Sequence, residues 1–319
     1  MLRFLARRVI FGVVVLWFVA TVVFAMYFVA PNNVARTLAG REASLATVAA
    51  IKHNLGLDRP ILAQYGSFLW KALHGNLGYS YTNSEPVTTL IGQALPITAS
   101  LVVGGAIVWL LLGLSTGVLA ATRPRSLVDR TATGFALFFY SMPTFLLGEV
   151  LLLVLFFRLH LLHVNFFPAA GYVPLTQNPV QWARYLLLPW LTIALVTAAT
   201  YTRLTRSSML DVLGEDYIRT ARSKGMRESR VIFRHGLRAG LTPMLTQFGI
   251  DVGTLLGGAI VTENVFGLPG LGELAINSLT KQDLPTIIGL VLLSSAFVVV
   301  ANIVVDIFYS LLDPRVRLT

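Results

Sequence analysis

Three carboxylates, Glu149, Asp251 and Asp306, lie inside long apolar runs of this 319-residue chain. Exposing an ionised acid to lipid is costly, so each is a candidate for proton relay or for lining a water-filled cavity. None has a basic residue in its own run. Hydroxyl or backbone partners within the protein are the simpler reading, and proton coupling is the rival. Other chemistries lack their residues. The chain has no cysteine, which removes disulfides, thiolate metal sites and thiol nucleophiles. Its histidines, at 53, 74, 160, 163 and 235, form no H-E-x-x-H pattern. His160 and His163 end an apolar run with no carboxylate beside them and read as interfacial side chains. The glycine-rich "VFGLPGLGE" at 265–273 is not the phosphate loop G-x-x-x-x-G-K-[ST], and no ATP-binding motif occurs elsewhere. With no nucleophile–base pair or metal cluster, a membrane enzyme is a weak reading. Any energy for transport must come from another subunit or from an ion gradient.

Six apolar runs carry these residues: Val9–Ala30, Ile97–Ala121, Ala132–Phe157, Leu186–Thr202, Leu241–Thr262 and Thr286–Leu311. A helix needs roughly 20 residues to cross about 30 Å of hydrocarbon. Composition agrees: 55% hydrophobic, 13% charged, mean hydropathy +0.72. The expected fold class is an all-α integral membrane protein with six transmembrane helices. The expected division is an N-terminal end and first helix (1–30), an extracytoplasmic loop subdomain (31–96), a core (97–311) with an inner loop at 203–240, and a tail (312–319). If the N-terminus is inside, the inner segments hold 17 of the 25 lysines and arginines. The positive-inside rule then places both termini in the cytoplasm. The net charge of +10 is mostly this asymmetry. Its dispersal over four flanks argues against a nucleic-acid partner. The first run is too long for a signal peptide and has no A-x-A site after it.

The longest inner loop contains "EDYIRTARSKG" at 215–225. Acids precede the helical segment, Arg219, Arg222 and Lys224 close it, and Gly225 is a natural left-handed stop. Tyr217, Ile218 and Ala221 share a face. Two readings stand: a solvated basic anchor, or a docking helix that presents a small apolar face to a cytoplasmic partner. A second short helix is expected in "ESRVIFRHGLR". In the outer loop, Asp58 and Pro60 mark a helix start, followed by a stripe of Ile61, Leu62, Tyr65, Phe68, Leu69, Ala72 and Leu73. It reads as a helix flat on the membrane or as part of a subdomain at the bundle mouth. Gly249, Gly253 and Gly257 recur every four residues, as do Gly113 and Gly117. They suit either a pathway-lining interface or ordinary tight packing. With Asp251 and Glu263, the first three are candidates for the translocation pathway. Pro143 and Pro189 are expected to kink their helices.

Several blocks in order, "MLRFLARR", "LGLDRPILAQY", "HGNLGYSY", "DYIRTARSKGM", "ENVFGLPGLGE", "QDLP" and "NIVVDIFYSLLDPRVR", give the chain an end-to-end resemblance. It resembles the permease subunits of bacterial binding-protein-dependent ABC importers, in the dipeptide/oligopeptide/nickel branch. The resemblance implies a type I importer permease fold in the bacterial inner membrane. It implies a homologous second permease, two cytoplasmic ATPase domains that bind ATP and Mg, and an extracytoplasmic substrate-binding protein. No cofactor or metal is then expected on this chain. The family's coupling helix falls on 215–225, with Asp216, Tyr217, Ile218, Arg219, Thr220, Ala221, Lys224 and Gly225 as ATPase-coupling residues. Its E-A-A positions are Arg219, Thr220 and Ala221, so only the alanine and Gly225 match the motif's name. After the first span, "PNNVA" stands where the family has a P-G-D-P-type turn. Tyr65, Phe68, Leu69, Leu268, Pro269, Gly270 and Asp283 are candidates for the face that receives the binding protein. The competing class is an ion-gradient-driven transporter or channel without an ATPase, signed by paired coupling acids or broken inverted repeats.

Overall fold

The computed structural model describes residues 2–26, 44–54, 58–163 and 166–312. The "PNNVA" turn and the tail beyond 312 lie outside them. The described residues are helical almost throughout. The elements are α1 (Leu2–Phe24), α2 (Leu45–Asn54), α3 (Ile61–Leu73), α4 (Val87–Thr122), α5 (Leu127–Tyr140), α6 (Thr144–Leu151, prolonged by a wider π turn, Leu152–Arg158), α7 (Pro179–Leu213) and α8 (Asp216–Ser223). Then come α9 (Glu228–Arg230, running into a π turn, Val231–Leu237), α10 (Thr242–Leu256), α11 (Ile260–Phe266), α12 (Leu271–Thr280) and α13 (Leu284–Leu312).

Five helical stretches are long and apolar enough to cross a membrane: Ala6–Phe24, Val87–Thr122, Thr144–Leu161, Pro179–Leu213 and Leu284–Ile307. Helices α10 and α11, bent by 53° at a short break, are together long and apolar enough for a sixth when the bent pair is counted as one span. Three expectations change. The third apolar run, expected as Ala132–Phe157, is broken at Ser141–Pro143. Proline disfavours helical geometry in the residue before it and cannot donate to the preceding turn. The spanning part is therefore Thr144–Leu161. The fourth run starts earlier and ends later than its apolar stretch, because Asn178 caps α7. Its Oδ1 accepts the N–H groups of Val180 and Gln181, both at 3.1 Å, with Pro179 at the first helical position. Pro189 sits inside this helix without ending it. The second span likewise runs through Pro96 and begins at Val87.

Helices α4 and α7 form the central pair, α10 packs along α13, and α1 packs on the outside of α13. Lipid tails are as apolar as leucine, so membrane helices associate through close packing and interhelical hydrogen bonds. Both are present. An added Cβ at Gly113 would stand 2.4 Å from the Tyr201 side chain, and one at Gly117 would stand 2.5 Å from Thr205. Trp190 Nε1 donates to the Ser100 carbonyl at 3.0 Å, and the Thr116 and Thr202 hydroxyls bond at 2.7 Å. Leu101, Trp109, Leu186 and Tyr201 are fully buried in the resulting core. Outside the bundle, α3 lays Tyr65 and Phe68 against Phe24 of α1, and the Tyr65 hydroxyl bonds Thr21 at 2.6 Å.

Candidate functional site

At the basic end of the bundle, α8 follows α7 after a two-residue turn. Its apolar residues point inward. Ile218 (0% exposed) and Ala221 (8%) pack with Val231, Leu213 and Met226. This corrects the expectation that Ile218 and Ala221 face a partner. A face that small is stable only when covered, and the chain's own Met226 and Val231, with Leu213 of α7, cover it. Arg222 forks onto Glu228 at 2.7 and 3.2 Å, which ties the end of α8 to the start of α9. The Arg222 guanidinium holds the Glu228 carboxyl below its ordinary range. Gly225 turns the chain at φ +73°, and a Cβ added there would meet nothing within 4 Å, so its requirement for glycine is conformational rather than steric. The outward face left over is Asp216, Tyr217, Arg219, Thr220 and Lys224, all exposed. What α8 offers a partner is thus a polar helix on an apolar base.

A second anchor at this end carried no expectation from the sequence. Asp129, 5% exposed, accepts from Arg206 Nε at 2.5 Å, Arg206 Nη2 at 2.8 Å and the Arg125 N–H at 2.9 Å. The Arg206 hydrogen bonds, then that N–H, push its carboxyl well below the ordinary range. The pair fastens the 123–130 turn to α7. Its sequence signal was the Ser126-Leu-Val-Asp129 box, where the serine side chain accepts the aspartate N–H at 3.3 Å.

At the opposite end, two buried acids organise the loops. Glu263, 0% exposed, accepts from Thr98 Oγ1 (2.7 Å), the Gly272 N–H (2.7 Å) and the Glu273 N–H (3.1 Å). Thr98 Oγ1 in turn accepts the Leu271 N–H at 2.8 Å. Three orphan donors of α12's first turn are thereby satisfied from α11 and α4. The glycines of "GLPGLGE" follow from this. A Cβ at Gly270 would lie 2.5 Å from the Glu263 carboxyl carbon, and one at Gly272 would lie 2.6 Å from the Ile260 backbone. Asp283, also 0% exposed, accepts from the Tyr81 N–H (2.9 Å), Thr82 Oγ1 (3.1 Å), Thr286 Oγ1 (2.9 Å) and the Ser80 hydroxyl. It stitches the "GYSYTN" loop to the start of α13.

Of the outer-face candidates, Leu268, Gly270 and Asp283 are buried, and Tyr65, Phe68 and Leu69 are half-buried, the first two against α1. Pro269 alone among them is exposed. These positions shape the surface more than they form it, because the turn needs the acids and glycines inside to hold its fold.

Mid-bundle, the expectation that the glycine stripe of α10 lines a pathway is corrected. A Cβ at Gly249 would stand 2.3 Å from Val305, at Gly253 3.1 Å from Val298, and at Gly257 2.9 Å from Ser294. The stripe is filled by α13 of the same chain. Asp306 has a basic partner after all, from another span: Arg8 Nε at 3.1 Å. Asp251 is half-buried and receives Tyr201 Oη at 2.9 Å and Gln247 Nε2 at 2.8 Å. Glu149 is exposed on the surface of α6. No group of histidines and acids among the described residues could hold a metal ion.

Five apolar helical stretches, six with the bent pair counted as one span, and a polar helix standing on a packed loop at the basic end are the architecture of a multi-pass membrane protein. The same fold occurs in the MetNI methionine ABC transporter in inward-facing conformations. The match has a TM-score of 0.58 at 17% identity, over 72% of this chain and 99% of that one. The chain belongs to the family described as binding-protein-dependent transport system inner membrane component. The family model matches residues 113–318, and the model of its N-terminal region matches 1–102. Similar relatives include a putative peptide transport system permease protein of Brucella abortus (39% identical, covering 99% of both chains). The dipeptide transport system permease protein DppB of Escherichia coli K12 is 37% identical, also over 99% of both.

Proposed function

We propose that this chain is the permease subunit of an ATP-driven importer of di- or oligopeptides in the bacterial inner membrane. It works with a homologous second permease, two ATPase domains and an extracytoplasmic binding protein. The observation that carries the coupling role is α8: a rigid helix whose exposed polar face stands on a buried apolar base directly after α7. A load on Tyr217, Arg219 or Thr220 passes through Ile218 and Ala221 into Val231 and Leu213, and so into the long helix. The mechanism is alternating access, with two arrangements of the bundle biased by nucleotide from one side and by a loaded binding protein from the other. The peptide substrate follows from what the full-length relatives are named for.

On the outer side, the turn with Pro269, together with Ile61, Leu62 and Leu73 of α3, all exposed, offers the surface for the binding protein. Glu263 holds the turn in place, and Thr21 and Phe24 of α1 hold α3.

The test separates face from base in the purified complex. Tyr217→Ala with Arg219→Glu should keep the thermal stability of the permease but lose co-purified ATPase or dipeptide uptake per ATP hydrolysed. Ile218→Asp should lose stability first, because it buries an unpaired charge. Wild-type assembly and coupling in the surface double variant would sink the docking reading.

A further inference from the structure

The break between α10 and α11 opens a cavity of about 300 Å³, lined by Thr144, Thr197, Leu255, Gly258 and Thr262 among others. Three hydroxyls and an unwound backbone segment, with Gly258 at φ +135°, face a space that is otherwise apolar. Two lining residues report what lies beneath. Thr197 is one helical turn, about 5.4 Å, from Tyr201 on α7, and Leu255 is one turn from Asp251 on α10. The helices run in opposite directions, so both steps lead toward the basic end. There the Tyr201 hydroxyl and the Asp251 carboxylate bond at 2.9 Å. Tyr201 is fully buried with its ring tilted against Trp109, centroids 6.3 Å apart. Among the described residues, the hydrogen bonds to Asp251 come from neutral donors, Tyr201 and Gln247. Among the described residues no lysine, arginine or histidine forms an ion pair with it, unlike Asp129 and Asp306.

We infer that this cavity, with Asp251 one helical turn beneath its lining residue Leu255, is a subsite within the membrane for a primary ammonium group of the transported substrate. In the reading of the chain as a peptide importer, on which this rests, that group is the peptide's α-ammonium. A carboxylate in low-polarity surroundings with neutral donors keeps acceptor capacity, and a bound cation both uses it and favours the ionised form. Sites at broken membrane helices put unwound backbone beside a substrate in the same way. The threonine hydroxyls of the cavity can bond the neighbouring peptide group without selecting a side chain. Asp251 is thus a binding residue in the pathway, whereas the glycines beside it on α10 are packing residues.

The experiment uses the full importer in liposomes and begins without a peptide. Thr197→Cys, the only cysteine in this chain, is reacted with cationic 2-aminoethyl and with anionic 2-sulfonatoethyl methanethiosulfonate. The cation should react faster by about tenfold or more, the preference one carboxylate a helical turn away exerts in a medium of low polarity. Asp251→Asn should abolish that preference and Asp251→Glu should keep it. Equal rates in both backgrounds would overturn the subsite. Uptake of Ala-Ala and of Lys-Ala is then compared. Asp251→Asn should slow both about tenfold, with partial rescue by Asp251→Glu. Slowing of Lys-Ala alone would assign the site to the side-chain ammonium and overturn the α-ammonium assignment. Unchanged uptake of both would overturn the role in transport. If the wild-type importer takes up neither peptide, the peptide reading fails, while the labelling ratio still decides the cation subsite.

Discussion

Single buried acids do different work at different depths, and their partners tell which. Glu263 caps a helix, so its loss strands donors rather than a ligand. Glu263→Ala should leave the N–H groups of Gly272 and Glu273 unpaired and destabilise the permease by about 1–3 kcal/mol. Thermal unfolding in detergent checks this, with Gly270→Ala as a second variant that crowds the same carboxyl. Asp129 acts through charge. Its folded carboxyl lies below the ordinary range, so the ion pair with Arg206 contributes stability in full above about pH 4, the unfolded value. That contribution is lost as pH falls through the folded value. The difference in unfolding temperature between wild type and Asp129→Asn should therefore be constant from pH 8 to 5 and shrink at lower pH. A difference that grows on acidification would contradict the geometry. The sequence made Glu263 visible as a candidate but hid its partners, because Thr98 lies 165 positions away on another helix.

Helices were the most legible scale. Apolar length marks a span whatever its neighbours are, so all six were readable, and the charge, glycine and spacing of 215–225 marked α8. Faces were not legible. Periodicity shows that Ile218 and Ala221 share a side, but it does not say whether that side meets a partner or the chain's own Val231 and Leu213. The same holds for Gly249, Gly253 and Gly257, where small-residue spacing says only that something comes close. Gly249→Val would place its first side-chain atom on Val305 and should push α10 off α13. The expected result is overpacking of about 1–3 kcal/mol, read as a lower unfolding temperature. A glycine facing an open pathway would instead give unchanged stability and slower transport. The break after Leu256 was also unreadable, since the run stays apolar through it and only Gly258, at φ +135°, marks it.

For the whole molecule, the distribution of basic residues predicts that α8 and the 123–130 turn lie on one side of the membrane and the 75–86 loop on the other. Single cysteines at 223 and at 82, introduced into this cysteine-free chain, should be labelled by an impermeant reagent in intact cells only at 82. Labelling at 223 would invert the topology. The contact between α1 and α13 has a further meaning for biogenesis. Arg8 finds Asp306, and Gly12 admits Val299, across some 260 intervening residues between the two helices. As the chain emerges from the ribosome, α1 enters the bilayer long before α13, its neighbour within the bundle, exists. It must wait in lipid or beside the insertion machinery while the other spans arrive. The bundle is closed by its last helix, so a chain stalled before residue 284 would hold α1 through α3 at Thr21 and Phe24, with its face toward α13 still uncovered.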